Sequence, residues 1–238
     1  MAQLGKKTKQ KYDLYWSQEK HLEWLKLYSE HCEKHGEPVF TDVRPTQSKY
    51  QLNVMCCVIQ KLLGDAKVRV LEIGSYRGES TTIFNGHFHH VTAVDPFGYL
   101  NRHSEVDDMV EENESQDDAM DVKVKTADEN ELIRFLFEHN VADILPNIDF
   151  HRLTSDDYFE IHRDTKFDFI YVDGDHRYSQ QMRDYTNAMN SIEENGIIGG
   201  HDFSWESTQK VIKDLGWHEK PVLHFMDDSF LIVPEDLL

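Results

Sequence analysis

Apolar positions along this chain follow two rhythms that alternate. Between Ser17 and Gly36, Leu22, Trp24, Leu25, Leu27 and Tyr28 form a rough helical face, with Gly36 placed as a C-cap. From about Thr46 to Leu63, Met55, Val58, Ile59, Leu62 and Leu63 recur at helical spacing, and Gly64 ends the run. Short continuous apolar runs follow at Lys67 to Ile73, Val91 to Val94, Ile148 to Leu153, Phe167 to Asp173 and Gly196 to His201. Runs of that length suit strands buried on both faces. Helical stretches separate them, beginning at Glu79, covering Ala127 to Asn140, following Thr154-Ser155-Asp156-Asp157, and covering about 179–194 and Ser204 to Leu215. Val222 to Met226 and Phe230 to Val233, parted by Asp227-Asp228-Ser229, read as an antiparallel hairpin. The alternation predicts an α/β protein with a mostly parallel, seven-stranded sheet ending in that hairpin. With no repeats and no Gly/Ser-rich or Pro-rich linker, residues 1–46 read as a tail and a helix, and 47–238 as one domain.

The strand ends carry the chemistry. The run from Phe167 stops at Asp173, Asp175 and His176, and the run from Gly196 stops at His201 and Asp202. In an open parallel sheet, ligands bind outside the carboxyl ends of the strands. As neighbouring strands, these two would put five polar residues into one cleft. The first strand ends in Gly74-Ser-Tyr-Arg-Gly78, after which a helix can start. Glycines there let the backbone approach a ligand, and a helix start offers free N–H groups. Asp95 stands 21 positions past Gly74 at the end of the next strand, where an acid can hold ribose hydroxyls. The spacing is G-x-x-x-G, not the G-x-G-x-x-G of dinucleotide enzymes. Taken alone it leaves nicotinamide and S-adenosylmethionine cofactors level. A second mononucleotide half would favour the nicotinamide, and the chain shows none.

Charge and cysteines narrow the class. The net charge of −19 argues against nucleic acid, which needs clustered Lys and Arg, and against an anionic membrane surface. Much of the acid lies in 98–126, including Glu105, Asp107, Asp108, Glu111, Glu112 and Glu114, which reads as an insertion. Two readings stand for it, a solvated surface loop and a lid carrying Tyr99 and His103 toward the cleft. Cys32, Cys56 and Cys57 make neither a disulfide framework nor a zinc spacing, so reduced thiols in the cytoplasm are expected. The basic start, MAQLGKKTKQKY, lacks the apolar stretch of a secretory signal, and no window approaches a membrane span. Trp16, Trp24 and Tyr28 could dock on the domain or on a second copy, which leaves a homo-oligomer open.

From about Gln47 to Pro234 the chain resembles class I S-adenosylmethionine-dependent methyltransferases. VLEIGSYRGES looks like that superfamily's first motif. FDFIYVDGDHRY and NGIIGGHDF look like a narrower group, the macrocin-type small-molecule O-methyltransferases. The resemblance implies a Rossmann-like three-layer sandwich and methyl transfer from S-adenosylmethionine to an oxygen of a small-molecule acceptor. It implies that Glu72, Gly74, Ser75 and Gly78 line the cofactor, that Asp95 takes its ribose hydroxyls, and that Ser155 and Asp156 lie at its adenine. It further implies a divalent metal, magnesium or manganese, held by Asp173, His201 and Asp202. His201 stands where an oxygen donor is usual and favours a softer ion, or else acts as a base without metal. Asp173, His176 and His201 are the catalytic candidates, with Asp175 ordering the loop. Two rival functions stay open, a cofactor-binding module without catalysis and a nucleotide-linked oxidoreductase on a similar sheet.

Overall fold

The computed structural model of the chain describes residues 18–36, 46–64, 67–97 and 127–238. The expected tail, Trp16 and the acidic insertion at about 98–126 lie outside the described residues. In chain order the elements are α1 (Gln18–His35), α2 (Thr46–Leu63), β1 (Arg69–Ile73), α3 (Glu79–His87), β2 (His90–Val94), α4 (Ala127–Asn140) and β3 (Ile148–His151). They continue as α5 (Ser155–Ile161), β4 (Phe167–Val172), α6 (Tyr178–Ser191), β5 (Ile192–Gly200), α7 (Glu206–Asp214), β6 (Val222–His224) and β7 (Phe230–Ile232). The sheet order is β3-β2-β1-β4-β5-β7-β6. The first five are parallel neighbours, and β7 lies antiparallel between β5 and β6.

Side-chain alternation explains why the strands read as unbroken apolar runs. On β4, Phe169 and Tyr171 join one core, while Ile170 and Val172 join the other. Val70 of β1 faces the first core, and Leu71 and Ile73 face the second. The first core is closed by α2, α3 and α4 through Leu52, Met55, Ile59, Phe84 and Phe137. The second is closed by α5, α6 and α7 through Tyr158, Phe159, Tyr185, Ala188 and Val211. This is the three-layer Rossmann-like sandwich.

The N-terminal helix belongs to the first core. Trp24 and Tyr28 of α1 are buried in it. Trp24 meets Phe225, just past β6, with ring centroids 4.6 Å apart. Of the two dockings open for these aromatics, this chain's own domain takes Trp24 and Tyr28. Gly36 ends α1 at φ 81, its N–H donating to the Cys32 carbonyl at 2.9 Å.

Close packing, not turn geometry, dictates Gly200 at the end of β5. A Cβ there would collide with the Tyr185 hydroxyl and lie 2.7 Å from the Val172 carbonyl oxygen. Gly86 in α3 has open space around it. Gly200→Ala is therefore expected to lower unfolding stability by about 1–3 kcal/mol. Gly86→Ala should raise it by about 0.5–1 kcal/mol. Urea midpoints of the two variants against wild type check both.

Candidate active site

The site begins with the sheet's own hydrogen bonding. At the carboxyl ends the parallel ladder runs one residue past each strand. Asp95 N–H donates to the His151 carbonyl (3.2 Å), Gly74 N–H to Val94 (2.9 Å), Asp173 N–H to Ile73 (2.8 Å) and His201 N–H to Val172 (3.3 Å). Those bonds align the first residues of four loops in one row. The row crosses the point between β1 and β4 where strand order reverses, the place an open sheet leaves a crevice.

The loop after β1 is shaped by the protein's own packing. Gly74, at φ 88, presses against the main chain after β4, where a Cβ would strike the Asp173 carbonyl and come within 2.7 Å of Gly174 Cα. Gly78, at φ 77, starts α3, and a Cβ there would lie 2.6 Å from Val141 Cγ1. Asp95 ties the loop from the side: its carboxylate accepts from Tyr76 N–H and from Phe97 N–H, each at 2.8 Å. Glu72 lies beneath the loop. It is fully buried and accepts from the Ser80 hydroxyl and, at 2.5 Å, from the Thr81 hydroxyl. It thereby fastens β1 to the first turn of α3. Ser75 is buried, and its Oγ has no hydrogen-bond partner among the described residues.

The loop after β3 divides its two expected residues. Thr154 caps α5, its hydroxyl accepting from Asp157 N–H at 3.1 Å. Ser155 is buried and accepts from the Gln180 amide at 3.1 Å. It also bonds Asp184, a carboxyl pushed up to about 7 by burial, against the lowering effect of the Ser155 and Gln180 hydrogen bonds. Asp156, expected at an adenine, is exposed and pairs with Arg183 at 3.3 Å. Its side chain turns along α6 because the first turn of α5 presents that face to α6.

On the other side of the crevice, acids and imidazoles converge. Asp202 bridges two rings, His201 Nδ1 at 2.9 Å and His176 Nδ1 at 3.3 Å. His201 Nδ1 is 4.0 Å from Asp173. Asp202 stands at φ 55, a left-handed conformation that Asp tolerates better than most residues. Burial would lower His201, but the Asp202 hydrogen bond and the charges of Asp173, Asp202 and Asp227 win and push it up to about 9. An imidazolium thus sits among three carboxylates. The neighbouring residues are braces. Asp175 grips the Arg177 guanidinium at 2.6–3.1 Å, as a loop-ordering acid should. The Tyr178 hydroxyl donates to Asp214 at 2.9 Å.

Asp227 gave no signal beyond a polar hairpin turn. It enters because β7 inserts beside β5 and carries the turn to the site. Its carboxylate accepts from Ser229 N–H (3.2 Å) and the Ser229 hydroxyl (3.1 Å), and burial raises it against the pull of His201.

Both expected groups fit the residues present. One ligand atom each from Asp173, His201 and Asp202 lies within 4.8 Å of the others. Octahedral ligands at about 2.1 Å stand roughly 3 Å apart, so small side-chain adjustments suffice. Two carboxylates and an imidazole suit manganese better than magnesium. For S-adenosylmethionine, the buried Ser75 Oγ, which has no hydrogen-bond partner among the described residues, lies in the loop that Asp95 ties down.

Comparison with known proteins follows this geometry. A family described as a methyltransferase domain matches residues 71–203. None of the curated proteins matches the sequence. Among solved structures, CalS11, a calicheamicin methyltransferase, superposes with a TM-score of 0.55 at 12% identity, covering 93% of this chain and 95% of that one. An apo structure of CalS11, described as a TDP-rhamnose 3'-O-methyltransferase, gives 0.50 at 12% identity, covering 93% and 96%. An O-methyltransferase from Bacillus cereus in complex with SAH gives 0.51 at 15% identity, covering 92% of each. At such identities these likenesses are of fold. The family match spans more than half of the sequence, and the chain belongs to the family described as a methyltransferase domain.

Proposed function

We propose that this methyltransferase acts on a hydroxyl oxygen of a small-molecule acceptor, with metal assistance at Asp173, His201 and Asp202. The observation that carries this is the convergence of Asp173, His176, His201, Asp202 and Asp227 beside, not within, the half of the crevice formed by Gly74, Ser75 and Asp95. One half would hold the cofactor and the other the acceptor. The named relatives support the acceptor class, a deoxysugar nucleotide in the case of CalS11. The protein's acidity supports it too, since phosphate-rich polymers would be repelled. A cytoplasmic setting fits the three free cysteines, two of them buried. Burial pushes Cys57 up to about 12 and also raises Cys56. No helix among the described residues is long and apolar enough to cross a membrane.

When bound, S-adenosylmethionine supplies an electrophilic methyl carbon on a sulfonium, and a divalent cation at the carboxylates lowers the acceptor's pKa. The chain's own residues position and deprotonate. Gly74 and Ser75 shape the floor of the cofactor half, and Asp95 accepts from ribose hydroxyls. Asp173, His201 and Asp202 would hold the cation and fix the acceptor oxygen in line with the methyl group. His176, joined to Asp202, is placed to take the acceptor proton, and the Asp202 carboxylate stabilises the imidazolium that forms. Asp227 holds a further negative charge against His201.

Calorimetry with S-adenosylhomocysteine tests the cofactor half. Wild type should bind, and Asp95→Ala should weaken binding by about ten- to a hundredfold, the worth of hydrogen bonds to a charged acceptor. No binding to folded wild type at high micromolar ligand would defeat the reading. For the acceptor half, Asp173→Asn should keep S-adenosylhomocysteine affinity within a few fold. Methyl transfer to a panel of deoxysugar nucleotides and catechols should drop by about a hundredfold or more, and chelator should suppress wild-type turnover. Turnover that survives both changes removes Asp173 and the metal from the mechanism.

His201 gives a pH test. Its folded pKa, about 9, lies above the ordinary 6.5. The folded state holds that proton more tightly, so the group's stabilisation is complete below 6.5 and is lost as pH rises through 9. Between those values metal-free wild type should lose more stability than His201→Gln, read from urea midpoints across pH. Parallel curves would remove the charge from His201.

A further inference from the structure

A second cluster of metal-competent side chains lies far from the strand ends, in the layer formed by α1, α2 and α3. His31 of α1, Cys57 of α2 and His87 of α3 each present a ligand atom, and the three atoms lie within 4.8 Å of one another. The rings of His31 and His87 stack with centroids 4.3 Å apart and planes 26° from parallel. His35 stands behind His31 at 4.7 Å. Two of the three residues are almost wholly enclosed, Cys57 at 5% and His87 at 8% exposure.

His87 has the features of an oriented ligand. Its Nε2 lies 2.7 Å from Asn53 Oδ1. The amide oxygen can only accept, so Nε2 carries the proton and Nδ1 presents a lone pair. Nδ1 is buried and has no hydrogen-bond partner among the described residues. Its own backbone is held as well, the Gln60 amide donating to the His87 carbonyl at 2.7 Å. A buried acceptor without a donor is uncommon in folded proteins and calls for an explanation. Metal-binding imidazoles are oriented in this way, one nitrogen donating to an oxygen behind the ring and the other facing the ion.

We propose that His31, Cys57 and His87 bind a divalent ion of the zinc class, a site separate from the acid–imidazole cluster of the active site. Two imidazoles and a thiolate select zinc over magnesium or calcium, which prefer oxygen. Binding forms a sulfur–metal bond at Cys57, breaks its S–H bond and releases the proton to solvent, with no change of oxidation state. The ion would join three helices and fasten α1, which precedes the family-matched segment, to the domain.

Cobalt(II) titration of the full chain tests this, because a thiolate-to-cobalt charge-transfer band reports a cysteine ligand and the active-site cluster contains none. Wild type should show that band with the intense visible bands of a tetrahedral site, saturating at one equivalent and bleached by zinc. His31→Ala changes a half-buried residue at the helix surface and should fold, yet lose the band. Cys57→Ala should lose it too, with circular dichroism confirming the fold. Zinc should raise the melting temperature of Asp173→Asn, in which the active-site cluster is impaired, but not of the double variant Asp173→Asn with His31→Ala. Absence of the charge-transfer band in folded wild type, or its persistence in His31→Ala, overturns the proposal.

Discussion

The main-chain ladder at the carboxyl end of the sheet is the constraint from which the site follows. Each strand gives its neighbour's loop one more N–H to C=O bond than the strand itself requires. Gly74, Asp95, Asp173 and His201 are therefore fixed relative to one another by backbone, and their side chains start from set positions. Hydrogen bonds in this buried setting cannot be traded for water without cost. The pressure of Gly74 on the Asp173 carbonyl is the tightest point of that frame. Preorganisation of this kind suits methyl transfer, where the protein's work is alignment and charge placement.

Much of this was legible in the sequence. Unbroken apolar runs marked β1, β2, β4 and β5, because strands buried on both faces leave no polar alternation. Their ends were marked by Gly74, Asp95, Asp173 and His201. Order within the sheet was not legible. Nothing local says that β7 slips between β5 and β6, and so nothing marked Asp227 as a neighbour of His201. Orientation was equally hidden. Asp156 follows Ser155 directly, but one helical step points it at Arg183 while Ser155 stays buried under α6. Glu72 belongs to the first motif, yet its visible partners are the hydroxyls of α3. A motif names the residues of a loop without telling which face the ligand and which brace it.

Charge differs between the two ends of the crevice. At the end formed by Gly74, Ser75 and Asp95 stands a buried hydroxyl without a partner among the described residues. At the other end, the charges of Asp173, Asp202 and Asp227 help to push His201 up to about 9. The proton held there keeps the cluster from bare mutual repulsion.

The antiparallel strand β7 has a consequence beyond Asp227. The family-matched segment ends at residue 203, before β6 and β7 begin. Within that segment β5 would be the last strand, its main-chain donors and acceptors bare along Ile198, Gly199 and Gly200, which β7 now pairs. An open apolar edge is a template for pairing with another chain. The two short strands beyond the motif region thus act as a seal, and a fragment trimmed to the recognisable family boundary would be prone to self-association through β5.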